Sequence, residues 1–139
     1  LALLGRCEYA CLGLTDEAQP YCVPVSHVLV DGCVYFHSNP RGYKAELLAQ
    51  NPRVCLTAVA DVHAVPMRFT TEYSSAIAFG TARLVHDPAE RRRALSAICE
   101  KYAASNPHRE KCAANAGPET AVYCVEIESI TGKRSECSE

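Results

Sequence analysis

The stretch from Tyr35 to Lys44, Tyr-Phe-His-Ser-Asn-Pro-Arg-Gly-Tyr-Lys, gathers residue types suited to holding an anion. An apolar strand pattern at Val34, Tyr35 and Phe36 runs through His37 and Ser38 into Asn39 and Pro40. A helical pattern then carries Arg41 and Lys44 in its first turn. Backbone N–H groups at a helix N-terminus lack intrahelical partners and carry partial positive charge, so they attract anions. With Ser38 or Asn39 as the N-cap and Pro40 at the first helical position, Lys44 adds a full charge near those amides. A phosphate fits this pattern. An ordinary capped surface helix with two solvated basic residues fits it too, because strand-to-helix turns are common.

The elements that position this stretch belong to one domain, residues 1–139, because a split would leave pieces too small to bury much surface. Hydrophobic residues make up 48% and charged residues 22%, a globular rather than disordered balance. A formal net charge of −2 argues against a general nucleic-acid binder, and the run Arg91-Arg92-Arg93, with Glu90 and Glu100 nearby, reads as a solvated helix face. No apolar stretch approaches the ~20 residues needed to span a bilayer, which argues against a membrane partner, and the start carries no secretory pattern. Leu-Ala-Leu-Leu-Gly at the start reads as a helix cut part-way, so the expected N-terminus lies further upstream.

The nine cysteines are Cys7, Cys11, Cys22, Cys33, Cys55, Cys99, Cys112, Cys124 and Cys137. The number is odd, no CxxC occurs, and most fall in apolar strand patterns, so they read as buried thiols acting as small hydrophobes. That reading implies a reducing, cytoplasmic setting. His27, His63, His86 and His108 show no i, i+4 pairing, and no metal site is expected.

In chain order, residues 6–14 read as a strand and 15–19 as a polar turn, with a second strand at 20–30. Asp31-Gly32 is a two-residue hairpin signal that returns the chain through Cys33 to Ser38, making a three-strand meander. A helix over 41–50 buries Ala45, Leu47 and Leu48 and stops at Asn51-Pro52. A central apolar strand follows at 53–60, then a loop over 61–72. The strand at 73–85 carries Gly80, which predicts a bulge or sharp bend. Asp87, Pro88 and Glu90 open a second helix, with Leu95, Ile98 and Tyr102 on one face. Residues 106–118 read as loop or short helix, 121–130 as the last strand and 132–139 as a charged, frayed tail. About six antiparallel strands and two helices make a mainly β fold. Closure into a small barrel with flanking helices would remove the exposed sheet edges.

Several of these segments together resemble a family. They are Pro-Tyr-Cys-Val-Pro-Val-Ser at 20–26, Tyr-Phe-His-Ser at 35–38, Gly-Tyr-Lys at 42–44, Asn-Pro-Arg-Val at 51–54, Phe-Thr-Thr-Glu-Tyr-Ser-Ser at 69–75, Phe-Gly-Thr-Ala at 79–82 and Ile-Thr-Gly-Lys at 130–133. In this order they resemble the FMN-binding split β-barrel proteins related to pyridoxamine 5′-phosphate oxidase, most closely the 5-nitroimidazole resistance reductase branch. The resemblance implies FMN held at the interface of a homodimer. It places the backbone of Pro24, Val25 and Ser26 along the isoalloxazine ring. His37, Ser38, Tyr43 and Lys44 would hold the ribityl chain and phosphate, and Ser74 and Ser75 would add a further flavin contact. The nitroimidazole reductases carry Gly-His-Lys where this chain has Gly42-Tyr43-Lys44. A tyrosine with an ordinary pKa near ~10 does not shuttle protons near neutrality. Flavin binding survives that change better than nitroimidazole reduction does.

The implied activity is an FMN-dependent oxidoreductase that takes electrons from a nicotinamide, NAD(P)H, and passes them to a small acceptor such as a nitroaromatic or quinone. No catalytic residue stands out, and no glycine-rich dinucleotide fingerprint is present. A non-catalytic flavin-binding or storage protein fits as well, and so does the same fold holding haem or a deazaflavin.

Overall fold

A computed structural model describes residues 1–136. The short helix α1 (Ala2–Arg6) leads into β1 (Ala10–Thr15), β2 (Pro20–Val25), β3 (His27–Val30) and β4 (Cys33–Ser38). Helix α2 (Tyr43–Gln50) precedes β5 (Arg53–Val65), a 3₁₀ turn (Pro66–Arg68) and β6 (Thr70–Leu84). Helices α3 (Pro88–Tyr102) and α4 (Arg109–Asn115) and the long strand β7 (Ala121–Ser135) complete the chain. The strands form one antiparallel sheet in the order β2-β1-β5-β6-β7-β4-β3.

The two outermost strands, β2 and β3, are consecutive in sequence and separated only by Ser26. A sheet whose opposite edges are joined by one residue has to curl on itself, and the split barrel follows from that connection. Residues 20–30 are therefore two strands rather than the single one expected. The chain pairs with β1, breaks at Ser26, and then pairs with β4. Leu12, Phe36, Leu56 and Val125 fill the barrel, and Leu4 of α1 and Leu47 of α2 complete its core. Each such side chain contributes about 1.5–3 kcal/mol on burial. A second cluster, with Tyr35, Val85, Leu95, Val122 and Cys124, lies between the sheet and α3.

The break at Ser26 is pinned from α3. The Tyr102 hydroxyl shares its proton between the Glu8 and His27 carbonyls and accepts the His27 N–H at 2.8 Å. The Lys101 ammonium donates to the carbonyls of Cys7 and His27 at 2.7 and 2.8 Å. Tyr102→Phe strips the His27 N–H of that acceptor and two carbonyls of a donor. It is expected to cost about 1–3 kcal/mol, read as a lower urea midpoint with an unchanged slope.

Several boundaries differ from the sequence reading. Helix α1 extends to Arg6, so the first strand starts at Ala10. The expected loop over 61–72 is a two-stranded ribbon that continues β5 and β6 past a bulge at Asp61, where φ is +57°. Most of its residues face solvent, so no burial period marks it as strand. Residues 132–135, expected as tail, pair with β6 and belong to β7. Residues 109–115 are helical. Asp31 and Gly32, with φ of +50° and +80°, make the expected hairpin turn, and the ladder slips beside Gly80 as expected.

Asp87 caps α3 by accepting the Glu90 N–H at 2.7 Å, but the Glu90 carboxylate does not return to close a capping box. It receives the Tyr35 hydroxyl at 2.9 Å and a two-pronged bond from Arg83, which also reaches Glu126. Arg83 holds the Glu90 carboxyl below its ordinary pKa. A depressed folded-state pKa contributes stability that is present above the ordinary value of 4.5 and lost as pH falls through the folded value. Wild-type Tm should therefore drop on acidification below about pH 4.5, and Glu90→Gln should flatten that limb of the Tm–pH curve while lowering Tm at neutrality.

Candidate functional site

The strand-to-helix turn is built differently from its sequence reading. Asn39 accepts the Arg41 N–H at 2.9 Å in an Asx turn, so it is engaged locally and does not cap the helix. The helix starts at Tyr43, with Gly42 as N-cap at φ +130°, a conformation L side chains rarely adopt. Ser38 donates to the Asn39 carbonyl. Neither Ser38 nor Asn39 caps α2, and Pro40 and Arg41 precede it. The first helical bond runs from the Glu46 N–H to the Gly42 carbonyl, which leaves the N–H groups of Tyr43, Lys44 and Ala45 without intrahelical partners.

Lys44 is half-buried beside this turn, its ammonium 5.7 Å from the centre of the Phe36 ring. No carboxylate pairs with it among the described residues, and burial pushes its pKa below the ordinary lysine value. A desolvated cation with a ring on one side and free amides nearby is suited to a bound anion. Tyr43 packs edge-on against Tyr21 of β2 with centroids 5.0 Å apart. Partial burial, then the Asp16 carboxylate, raise its pKa, so it stays a neutral phenol near neutrality.

The other predicted residues fall in three places. Pro24 and Ser26 are exposed and Val25 is buried in the barrel. As the outermost strand, β2 leaves one side of its backbone without a strand partner. Ser26 lies beside the Tyr102 hydroxyl at the break. His37 is exposed and pairs in register with Val122, on the face of β4 that carries Tyr35, whereas Phe36 and Ser38 face the other way. His37 and Lys44 are thus on opposite faces of β4. Ser74 and Ser75 lie on β6, three strands from β2, roughly 14 Å across the sheet. They line a cleft of about 400 Å³ with Leu3, Ile130, Lys133 and Arg134. One chain therefore brings together Ser38, Tyr43 and Lys44 near β2, and holds Ser74 and Ser75 apart.

The outward face of β2, β1, β5 and β6 is apolar. Pro24, Cys11, Thr57 and Ile77 form one row across it, and Cys22, Gly13, Cys55 and Phe79 form the next. Val59 and Phe79 are 49% and 48% exposed, and beyond them the ribbon tip presents Met67 and Phe69 at 91% and 99%. Among the described residues no cluster of His, Cys, Asp or Glu is suited to a metal, and no helix is long and apolar enough to cross a membrane.

The family model for pyridoxamine 5′-phosphate oxidase matches residues 1–134. The chain belongs to the pyridoxamine 5′-phosphate oxidase family. Among solved members of this fold, a candidate 5-nitroimidazole antibiotic resistance protein from Bacteroides thetaiotaomicron VPI-5482 is 26% identical, with a TM-score of 0.77 over 94% of this chain and 79% of that one. An FAD-binding protein from Mesorhizobium loti is 20% identical, with a TM-score of 0.72 over 97% and 91%. A flavocytochrome from Azotobacter vinelandii is 21% identical, with a TM-score of 0.73 over 98% and 65%. At those last identities the likeness is one of fold. No curated protein matches the sequence.

For this pyridoxamine oxidase-like chain, sequence reasoning missed Phe36 beneath Lys44 and Tyr102 beneath the break. An aromatic residue two positions before a turn reads only as core, and Tyr102 acts 75 positions away in sequence. Neither carries a local signal.

Proposed function

We propose that this chain is an FMN-dependent oxidoreductase whose flavin lies between two copies of the chain and reduces a small organic acceptor, such as a nitroaromatic or quinone, at the expense of NAD(P)H. The observation that carries the reading is Lys44, a half-buried cation with no carboxylate partner, set beside three free helix-start amides. The FMN phosphate supplies the missing dianion. FAD presents a pyrophosphate there instead, and the unpaired ammonium with its few amides suits one terminal phosphate better.

When bound, the flavin supplies hydride and single-electron chemistry. Ser38 and Tyr43 offer hydroxyls near the same turn, and the unpaired edge of β2 at Pro24 to Ser26 offers backbone groups to the polar rim of the ring. Ser74 and Ser75 pair with Arg134 and Lys133 at one end of β7, whereas Ser38, ahead of the Lys44 turn, pairs with Ala121 at the other, so within one chain they do not meet the same ligand. A second copy covering the apolar sheet face would bring its own serines toward that ligand and bury Val59, Ile77 and Phe79.

Purified protein reconstituted with FMN should bind about one flavin per chain and run as a dimer by light scattering. Protein that carries no flavin and gains none from FMN or FAD would overturn the reading. Tyr43 favours a second reading, a flavin carrier without turnover, because a neutral phenol held by Asp16 is a poor proton shuttle. Bleaching of the bound flavin by NADH or NADPH, followed by reoxidation with a quinone or nitroaromatic, decides for the enzyme.

A further inference from the structure

The cysteines depart from their sequence reading. Of the eight described, only Cys7 and Cys124 are buried, because Cys11, Cys22 and Cys55 lie on the outward sheet face and Cys112 on the surface of α4. Cys137 lies outside the described residues. Six of the eight fall in three pairs that are electrostatic neighbours, Cys11 with Cys22, Cys33 with Cys124, and Cys99 with Cys112.

Two of these pairs are diagonal neighbours across antiparallel strands. Cys11 stands opposite Pro24 and Cys22 opposite Gly13, while Cys33 stands opposite Glu126 and Cys124 opposite Tyr35. Diagonal positions lie about 7–8 Å apart, beyond the roughly 4.4–6.8 Å between Cα atoms that a disulfide accepts. Cys124 is also closed to any reagent, at 0% exposure. The third pair stands on two helices, outside any strand ladder, so no register fixes its separation at the diagonal spacing. Cys112 is exposed, Cys99 is half-buried, and α4 packs chiefly on α3, with Ala113 of α4 buried in the cluster between α3 and the sheet.

We propose that Cys99 and Cys112 form a redox-active dithiol that a hydroperoxide closes into a disulfide, stapling α4 to α3. The exposed Cys112 reacts first, as its thiolate. Its sulfur attacks one peroxide oxygen, the O–O bond breaks, and the departing oxygen takes up a proton and leaves as an alcohol, or as water from hydrogen peroxide. Cys112 is then a sulfenic acid. The Cys99 sulfur attacks the Cys112 sulfur, the S–S bond forms as the S–O bond breaks, and the hydroxide leaves as water with the Cys99 proton. In sum, two thiols lose two electrons and two protons, and the hydroperoxide is reduced. Burial, then the neighbouring Cys112, raise the Cys99 pKa, which suits it to the second role rather than the first.

The staple restrains more than α4. Just after it, the carbonyls of Ala116, Gly117 and Thr120 hold the Arg91 guanidinium at 3.0, 2.9 and 2.8 Å. Ala121 and Val122 then pair with Ser38 and His37. Oxidation therefore fixes the segment that leads into the strand beside the anion-binding turn. The proposal does not depend on the flavin.

The test uses the full chain, reduced, desalted and treated with one equivalent of hydrogen peroxide, then alkylated and digested without reductant. The expected result is an intact mass two hydrogens lower and a Cys99 peptide joined to a Cys112 peptide, separable by dithiothreitol. Closing a loop of about 15 residues should also raise Tm by roughly 10 °C. Cys112→Ser should abolish both effects, and Cys99→Ser should leave a Cys112 sulfenic acid that dimedone traps. A link through any other cysteine, sulfinic acid at Cys112 with Cys99 freely alkylated, or an unchanged gain in Tm in Cys112→Ser would each overturn the proposal.

Discussion

Lys44→Met is expected to weaken FMN binding roughly 10- to 100-fold while leaving the apo protein as stable as the wild type or more so. The two effects have opposite signs for one reason. The Lys44 ammonium is partly desolvated, and among the described residues no carboxylate offsets that cost. Removing the charge from the empty turn relieves a penalty, and the methionine keeps the apolar stem against Phe36. Removing it in the presence of a phosphate forfeits a charge-assisted bond of about 1.5–3 kcal/mol. Fluorescence titration with FMN and a urea melt of the apo protein separate the two. Weaker binding accompanied by an equal loss of apo stability would mean that Lys44 is a structural residue, and the flavin would have to sit elsewhere.

How far the sequence could show this depends on whether a feature is local. Where one sheet face is buried and the other only half-buried, as in β1, the burial alternates residue by residue and the strand can be read. The ribbon beyond Asp61 is solvated on most of its surface, so its residues carry no such period and resemble a loop. The break at Ser26 leaves no trace either. Residues 20–25 and 27–30 are both good strand formers, and only their partners, β1 on one side and β4 on the other, make them two strands.

The candidate anion site was half legible for the same reason. The presence of Lys44 after a strand-to-helix turn is a matter of sequence, but its lack of a partner is a matter of packing. Asn39 and Pro40 suit a helix cap and an Asx turn equally, and the structure uses them for the turn. The signal that could have corrected the cap was Gly42, since φ near +130° just before a helix calls for glycine. His37 could be assigned to a strand end, but its face follows from pairing with Val122, which no local pattern shows.

Gly80→Ala tests the strand pair on which the barrel depends, and it is expected to cost about 3 kcal/mol or more. A Cβ at Gly80 would stand 2.1 Å from the Glu126 carbonyl oxygen and 3.0 Å from its carbon. Both are backbone atoms of β7, so no side chain can swing aside and the two strands must part. Their ladder slips at this point, with Phe79 opposite Ser129 but Gly80 opposite Ile127. The extra residue, Glu128, turns its carboxylate to Arg53 at 2.8 Å and Thr81 at 2.7 Å. Parting the strands would therefore strain the bulge and the ion pair across it as well as the contact itself. A loss of this size is a large share of the 5–15 kcal/mol a domain has in hand. Gly132→Ala is the control on the same pair of strands. Its Cβ would meet the Ser75 carbonyl at 3.7 Å, an ordinary contact, and the substitution should be neutral or stabilise by up to about 1 kcal/mol. Thermal melts of the two variants should therefore move apart. Equal losses would mean that β6 and β7 tolerate no added side chain anywhere along the ladder, and the close approach at the bulge would not be what requires glycine at position 80.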